Sequence, residues 1–213
     1  MFILYICTLL ATNLNRMKLT QTIIACLLVC NIHAQVGIGT TTPGAELDIN
    51  AVNSGGIPPL ELNPQTTPTG TASGQIAVIG NELYLYDASR TKWLSVASST
   101  FNFGKEGNLN NTDLEYSGDI DNSGPSMAQN GTIVYITINS SGGSVTKGFT
   151  LSRYNTANFL ISTHSFSLHS GELIVNNANI DFSKGDYFIV SVDNDGTGVV
   201  SDASMVIWTK WRQ

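Results

Sequence analysis

Short runs in which apolar and polar residues alternate fill the second half of this chain. Val134, Ile136 and Ile138 share one face of an extended backbone, because the side chains of a strand alternate between two faces. Turns rich in Gly, Ser, Asn and Asp separate these runs, and no stretch after residue 35 repeats apolar residues every 3.6 positions over three turns. The pattern predicts an all-β fold over 99–213, an antiparallel β-sandwich or jelly roll of seven or eight strands. The predicted strands are 132–138, 148–154, 158–162, 173–175, 180–182, 186–192 and 205–211.

Two of these predicted strands, 186–192 and 205–211, carry apolar residues on both faces. One face of each strand must line the core between the two sheets. The other face also needs cover, because a soluble monomer seldom exposes a large apolar patch. Val206 and Trp208 oppose Met205, Ile207 and Trp211, and we expect the set that faces away from the core to form a subunit interface. An edge packed under loops is the alternative.

A sharper local signal, at residues 75–96, predicts a β-hairpin clasp. Gly80-Asn81 separates two strand-like runs and suits a two-residue turn, because both residues tolerate a positive φ. An isolated hairpin is marginal in water, so this one must pack on a neighbour or trimerise. The preceding segment 35–74 has five prolines and few large apolar residues, which predicts a linker or an extended shaft. The predicted organisation is a leader at 1–34, a shaft or linker at 35–74, the hairpin at 75–98 and a β head at 99–213.

The amino terminus has the pattern of a cleavable signal peptide. Met17-Lys18 supplies a basic start, 23–29 is a short apolar run, and Ala34 offers a small residue at a cleavage point before Gln35. Residues 1–16 then read as an extension before the true start at Met17. A single membrane helix through both apolar patches is the alternative, but a polar break at 13–16 falls in its middle. The chain after cleavage is predicted to lack a transmembrane segment and to be extracellular or on the outer cell surface.

Cysteine usage and charge exclude several classes of site. All three cysteines, Cys7, Cys26 and Cys30, lie in the predicted leader, so the exported part has no disulfide, no thiolate metal site and no cysteine nucleophile. Lipidation at Cys26 is an alternative to cleavage after Ala34. Residues 35–213 keep eight basic against sixteen acidic residues, a formal net charge of −8. This acidic surface does not favour nucleic acid or anionic lipid as a partner.

Several motifs resemble those of fibre proteins. VGIGTTTP at 36–43 and LDI at 47–49 resemble the opening of secreted bacterial repeat or fibre proteins and of phage tail-fibre shafts. GQIAVIGNELYLYD at 74–87 with KWLSV at 92–96 resembles a tail-fibre hairpin. FNFG at 101–104, DFSKGD at 181–186 and the terminal Trp211-Arg212 are similar to a tail-fibre head, itself like the jelly rolls of tumour-necrosis-factor and complement globular-head type. The resemblance implies a homotrimer with a slender shaft, a clasp and a tip that contacts a surface. The export leader departs from virion proteins and favours a cellular surface protein.

Residues with possible chemistry are scattered. His164 and His169, five positions apart, would face opposite sides of a continuous strand and could not share a metal. The acidic turns at 119–124 and 193–196 resemble parts of calcium loops, but the first has Asn130 where a bidentate Glu is required. We therefore predict no metal and no cofactor. The remaining candidates are three carboxylates for glycoside hydrolysis and three aromatic residues for sugar stacking: Glu172, Asp181 and Asp186, and Tyr154, Phe159 and Tyr116.

These observations favour an exported, non-enzymatic structural or adhesive protein whose β head contacts a surface or a glycan. A monomeric carbohydrate-binding β-sandwich is the alternative, and a polysaccharide hydrolase is a third hypothesis. Surface or packing roles are the favoured interpretation of the candidate histidines, carboxylates and aromatic residues, so no catalytic residue is assigned.

Overall fold

The computed structural model describes residues 36–38, 45, 47–49, 55–56, 58–118, 123–143, 146–169, 171–194 and 198–213. The chain divides into two compact units, Met1–Glu61 and Leu62–Gln213. In the first unit, β1 (Val36–Ile38) pairs in parallel with β2 (Leu47–Ile49). The predicted leader at 1–34 lies outside the described residues. Among the described residues there is no helix that is long and apolar enough to cross a membrane.

Every regular element in the described part of the second unit is a β-strand, which confirms the predicted all-β class. A large sheet has the order β11-β8-β14-β5-β4-β3, with β12 also on β8 and β7 also on β5. A small sheet has the order β10-β9-β13-β6. All pairings between the described strands of these two sheets are antiparallel. The strands are β3 (Ile76–Ile79), β4 (Glu82–Asp87), β5 (Lys92–Leu109), β6 (Thr112–Asp113), β7 (Glu115–Tyr116), β8 (Gly131–Asn139), β9 (Thr146–Tyr154), β10 (Leu160–His169), β11 (Glu172–Val175), β12 (Ile180–Phe182), β13 (Tyr187–Val192) and β14 (Val200–Arg212).

The two sheets enclose one hydrophobic core, built from alternate residues of their strands. The small sheet contributes buried residues of β9 and β13, and the large sheet contributes buried residues of β5, β8 and β14. Burying each large side chain of this kind stabilises the fold by about 1.5–3 kcal/mol. The expectation that one face of each doubly apolar strand lines the core therefore holds for β13 and β14. The central core residues include Phe149, Leu151, Phe188, Val190, Phe103, Ile136, Ile138, Met205 and Ile207.

Strand β5 joins the predicted hairpin to the predicted head. Its first residues pair with β4, as in Leu94 opposite Leu85, and its later residues pair with β14, as in Phe103 opposite Met205. The boundary predicted between residues 98 and 99 falls inside this strand. The segment 98–100 carries small polar residues without apolar alternation, and its pairing with β14 keeps it extended. The hairpin and the sandwich are therefore parts of one continuous sheet.

Part of the predicted shaft lies against this hairpin. The Trp93 indole Nε1 donates a hydrogen bond to the Pro68 carbonyl at 2.9 Å, and the Gln65 N–H donates to the Val78 carbonyl at 2.8 Å. A side chain at Gly70 would collide with the Tyr86 ring, so glycine allows the backbone to approach the ring closely. Residues 62–74 therefore belong to the second compact unit.

Two basic residues join the hairpin to the sandwich. Arg90 donates to the carbonyls of Ala178 at 2.9 Å and Val134 at 3.2 Å. Lys92 Nζ donates to Asp181 Oδ1 at 2.7 Å. Burial of Asp181 acts to raise its pKa, but hydrogen bonds from Lys92 and Thr132 and the charge of Arg212 outweigh burial, so the pKa lies below its ordinary value. These contacts fix the hairpin on the edge of the sandwich.

Candidate binding surface at the tip of the sandwich

Two tyrosines and a leucine form a row across the small sheet, on the face that points away from the core. Tyr187 lies opposite Tyr154 on the neighbouring strand, and Tyr154 lies opposite Leu160 on the next. The two tyrosine rings stack with centroids 5.3 Å apart and an angle of 13° between their planes. Residues in register on adjacent strands are about 4.8 Å apart, so the row is roughly 10 Å long. We call these three residues the aromatic row.

The loop between β9 and β10 is held by its own hydrogen bonds and presents large apolar side chains. The Asn155 side-chain oxygen accepts bonds from the N–H groups of Ala157 at 2.9 Å and Phe159 at 3.0 Å. Asn158 has a φ of 61°, a conformation that asparagine tolerates better than most residues. The last loop residue and the first two residues of β10 are apolar and 67%, 53% and 47% exposed, and we call them the apolar tip: Phe159, Leu160 and Ile161.

A cleft of about 440 Å³ lies beside the aromatic row. The turns before β13 and after β9 form part of its wall, and the rest comes from 123–126. At Gly124 a side chain would collide with the Phe188 carbonyl oxygen, so glycine lets this segment lie directly on β13. None of the residues found to line the cleft carries a formal charge: they are Ser123, Gly124, Ser126, Thr156, Asn158, Gly185 and Tyr187.

A buried ion pair supports the turn that borders this cleft. Arg153 Nε donates to Asp186 Oδ2 at 2.6 Å, and Arg153 Nη1 donates to the Asp181 carbonyl oxygen at 2.8 Å. The Ser183 N–H also donates to Asp186 Oδ2, at 2.7 Å. Asp186 is only 4% exposed, and these hydrogen bonds supply partners for its buried carboxylate. The pair fixes the β12–β13 turn against β9.

The three carboxylates considered for glycoside hydrolysis have different surroundings. Glu172 is exposed at the start of β11, and Asp186 is occupied by Arg153. Asp181 accepts hydrogen bonds from Lys92 and, at 2.7 Å, from the Thr132 hydroxyl. The pKa of Asp181 is lowered, whereas a general acid at neutral pH needs a raised pKa. Asp181 and Asp186 thus have evident structural partners.

The two candidate histidines lie on opposite faces of β10. His164 points to the core side, and burial first, then the charge of Arg153, lowers its pKa. His169 is exposed, with Nδ1 2.7 Å from the Thr146 hydroxyl oxygen. In the part of the chain that the structure describes, no group of three or more His, Cys, Asp or Glu residues could hold a metal ion. Residues 119–122 and 195–196 of the two acidic turns lie outside the described residues.

Of the three aromatic residues considered for sugar stacking, the structure brings two to the tip. Tyr154 belongs to the aromatic row and Phe159 to the apolar tip. Tyr116 instead packs against Phe103 of the core, with ring centroids 5.7 Å apart. The sequence did not predict that Tyr187 and the cleft lie beside Tyr154. Their position depends on the register between strands that are distant along the chain, and no local motif indicates that register.

The large sheet has a different outward face. Trp208 lies opposite Tyr135, and Val206 lies opposite Thr137, which in turn lies opposite Ile174. Tyr135 is 45% exposed and Ile174 is 53% exposed. We call Tyr135, Ile174, Val206 and Trp208 the apolar outer face. They are the outward counterparts of core residues on the same strands.

The comparisons with known proteins give no family assignment. No family model matches the chain, and no curated protein matches it. Among solved structures, FLHE is similar at 11% identity and a TM-score of 0.26, covering 55% of this chain and 99% of that one. A family two carbohydrate esterase from Cellvibrio japonicus has 15% identity and a TM-score of 0.27, covering 55% and 35%. Turnip yellow mosaic virus protein has 12% identity and a TM-score of 0.26, covering 72% and 93%. TM-scores this far below 0.5 do not support an inference about fold or function from any of these similarities.

Proposed function

We propose that the protein is an exported, non-enzymatic adhesive module that forms a fibre-like homotrimer and contacts a surface or a glycan through the tip of its β head. The apolar tip carries this proposal. Three consecutive large apolar side chains at the end of a hydrogen-bonded loop stay in water, where each exposed side chain has a cost that contact with a partner would remove.

The apolar outer face supports self-association. Another copy of the chain supplies the same apolar surface, so a symmetric assembly needs no second gene product. Trp208 and Tyr135 are adjacent in register, and large aromatic residues of this kind commonly dominate subunit interfaces. A homotrimer would present three tips to one surface, and linked weak contacts then give strong overall binding.

Export is proposed from the predicted leader alone. Cleavage before Gln35 would release a cysteine-free chain with a formal net charge of −8, which suits an oxidising extracellular compartment. Amino-terminal sequencing of the protein recovered from outside the cell tests this directly. A mature amino terminus at Gln35 supports export with a cleaved leader. A lipidated amino-terminal Cys26 would instead indicate a membrane-anchored protein.

A monomeric carbohydrate-binding sandwich is the second candidate, favoured by the uncharged cleft beside Tyr187. Native mass measured by light scattering separates the two functions. A mass near three chains supports the fibre-like assembly, and a clean monomer that still binds glycan favours the second candidate. A loss of mass in EDTA would reveal a metal-dependent assembly and contradict the predicted absence of a metal.

Adhesion itself needs a matched pair of variants. Phe159→Ser removes the most exposed side chain of the apolar tip, and Val199→Ser removes an exposed apolar side chain next to the start of β14. We expect Phe159→Ser to lower retention on coated surfaces while Val199→Ser leaves it unchanged. Hydrolysis of a polysaccharide panel that is abolished by Glu172→Gln would instead establish an enzyme.

A further inference from the structure

The cleft beside Tyr187 combines two kinds of groups that recognise the same class of molecule. Ser126 and Thr156 contribute hydroxyl groups and Asn158 a carboxamide, while Tyr187 contributes an aromatic ring. An uncharged sugar has hydroxyl groups around its rim and apolar C–H groups on its faces. It therefore needs hydrogen-bonding groups that carry no charge, and an aromatic surface beside them.

The polar groups of this cleft are held in place before any ligand arrives. The Tyr187 hydroxyl donates a hydrogen bond to Asn158 Oδ1 at 3.2 Å, and the Ser126 hydroxyl donates to the Gly185 carbonyl at 3.3 Å. Because the carbonyl oxygen of Asn158 accepts the first bond, its two N–H donors point elsewhere. Groups that are already ordered lose little conformational entropy when they bind.

In the described part of the small sheet, the surface continues from the cleft with one uncharged row before a carboxylate appears at the sheet edge. Beyond the aromatic row, the next outward positions are Ser152 opposite Thr163, and then Thr150 opposite Ser165. Thr163 and Ser165 are exposed. The nearest carboxylate in register on this face is Asp113 at the sheet edge, which accepts a bond from the Ser191 hydroxyl at 2.6 Å. The face thus offers an apolar row, then a row in which Ile189 lies beside Ser152 and Thr163, and then a row of hydroxyl groups that ends at Asp113.

We propose that this surface binds an uncharged polysaccharide, with one sugar unit in the cleft against Tyr187 and the following units on the aromatic row. This inference rests on the adhesive function proposed above and names the ligand class of its tip. The row, roughly 10 Å long, is enough for about two linked sugar rings. An anionic polysaccharide fits poorly, because the lining residues provide no cation and the exported chain is acidic.

The test is affinity electrophoresis of the purified protein in gels that contain one polysaccharide each. Hydroxyethyl cellulose, xylan and galactomannan are the uncharged probes, and alginate and chondroitin sulfate are the anionic ones. We expect at least one uncharged probe to retard the protein and the anionic probes to have no effect. Failure of all three uncharged probes, or equal retardation by the anionic ones, overturns the inference.

Two variants locate the binding. Tyr187→Leu keeps apolar bulk but removes the ring, and we expect affinity to fall at least about fivefold. Thr156→Val removes a hydroxyl but keeps the methyl group that lies over Gly185, and we expect a fall of about threefold. Thr69→Val makes the same exchange at an exposed position in 62–74 and is the control. Unchanged melting temperatures exclude unfolding, and unchanged affinity in both cleft variants places the binding elsewhere and overturns the inference.

The adhesive function and the ligand class can fail separately. If Phe159→Ser lowers surface retention but no uncharged polysaccharide binds, adhesion stands and this inference is wrong. If an uncharged polysaccharide binds through Tyr187 while Phe159→Ser leaves surface retention unchanged, the cleft assignment stands and adhesion through the apolar tip is wrong.

Discussion

The two outward faces of the sandwich have different chemistry, although their sheets share one core. On the large sheet, Trp208 and Ile174 belong to an apolar face that interacts poorly with water. On the small sheet, Thr163 and Ser165 belong to a hydroxyl-rich face that ends in an aromatic row. Alternation along a strand determines only which side chains point away from the core. The chemistry of those residues decides what can cover them: another protein surface in the first case and a hydrated ligand in the second.

Placing a charge on the apolar outer face should have the largest effect. Trp208→Glu would put a carboxylate at the centre of the proposed interface, where an unpaired charge costs several kcal/mol. We expect the native mass to fall from three chains to one. Thr163→Glu places the same charge on the small sheet and should leave the mass unchanged. Equal dissociation by both variants would remove the distinction between the faces.

Breaking the ion pair beneath the cleft should lower stability and polysaccharide binding but leave the native mass unchanged. Arg153→Met leaves the carboxylate of Asp186 buried without its cation, and we expect a loss of about 3 kcal/mol in the free energy of unfolding by denaturant. Adding Asp186→Leu removes the uncompensated charge and should recover part of this loss. Polysaccharide binding should weaken in the single variant while the native mass stays the same. A loss of mass would show that the two faces are coupled.

Two isoleucines with similar exposure allow a reciprocal test. Ile161 in the apolar tip is 47% exposed, and Ile174 on the apolar outer face is 53% exposed. Replacing either with Ser removes about 1 kcal/mol of possible contact energy, or about fivefold in affinity. Ile161→Ser should weaken surface retention, and Ile174→Ser should raise the protein concentration needed for assembly. The proposed roles are wrong if Ile161→Ser changes assembly instead of retention and Ile174→Ser changes retention instead of assembly.

The pH response of the small sheet should be the smallest of these effects. Burial, then the charge of Arg153, lowers the pKa of His164 below the ordinary value of 6.5. The unfolded chain then binds a proton more readily than the folded chain, so stability from neutral His164 is complete above pH 6.5 and declines below it. His164→Gln should flatten the fall in melting temperature on acidification. His169→Gln is the control, and equal flattening there would argue against burial as the cause.

The strands could be predicted where their pattern is local. Alternation marked 132–138 and 186–192, and these match β8 and β13 closely. The length of β5 could not be predicted, because 98–100 lacks apolar alternation and is extended through its pairing with β14. Propensity and period describe a strand alone, whereas its neighbours determine how far it continues.

The tip was only partly predictable for the same reason. Tyr154, Phe159 and Tyr116 are all aromatic residues near loops, yet Tyr116 is packed on the core side against Phe103. The position of Tyr187 beside Tyr154 follows from the pairing of β13 with β9, which is set by the packing of the whole sheet. Residue type therefore indicated the kind of contact, and only the fold selected which aromatic residues reach the surface.

The place of β14 in the large sheet has a consequence for the order in which the protein can be assembled. This strand follows all the others along the chain, yet it lies between β5 and β8. Neither neighbour can complete its pairing until residues 200–212 have been synthesised, and those pairings join residues far apart in sequence. A nascent chain would therefore keep its central sheet open until this strand has been synthesised. Such a delay would suit the export proposed above, in which the polypeptide would cross a membrane unfolded and close its central sheet on the far side.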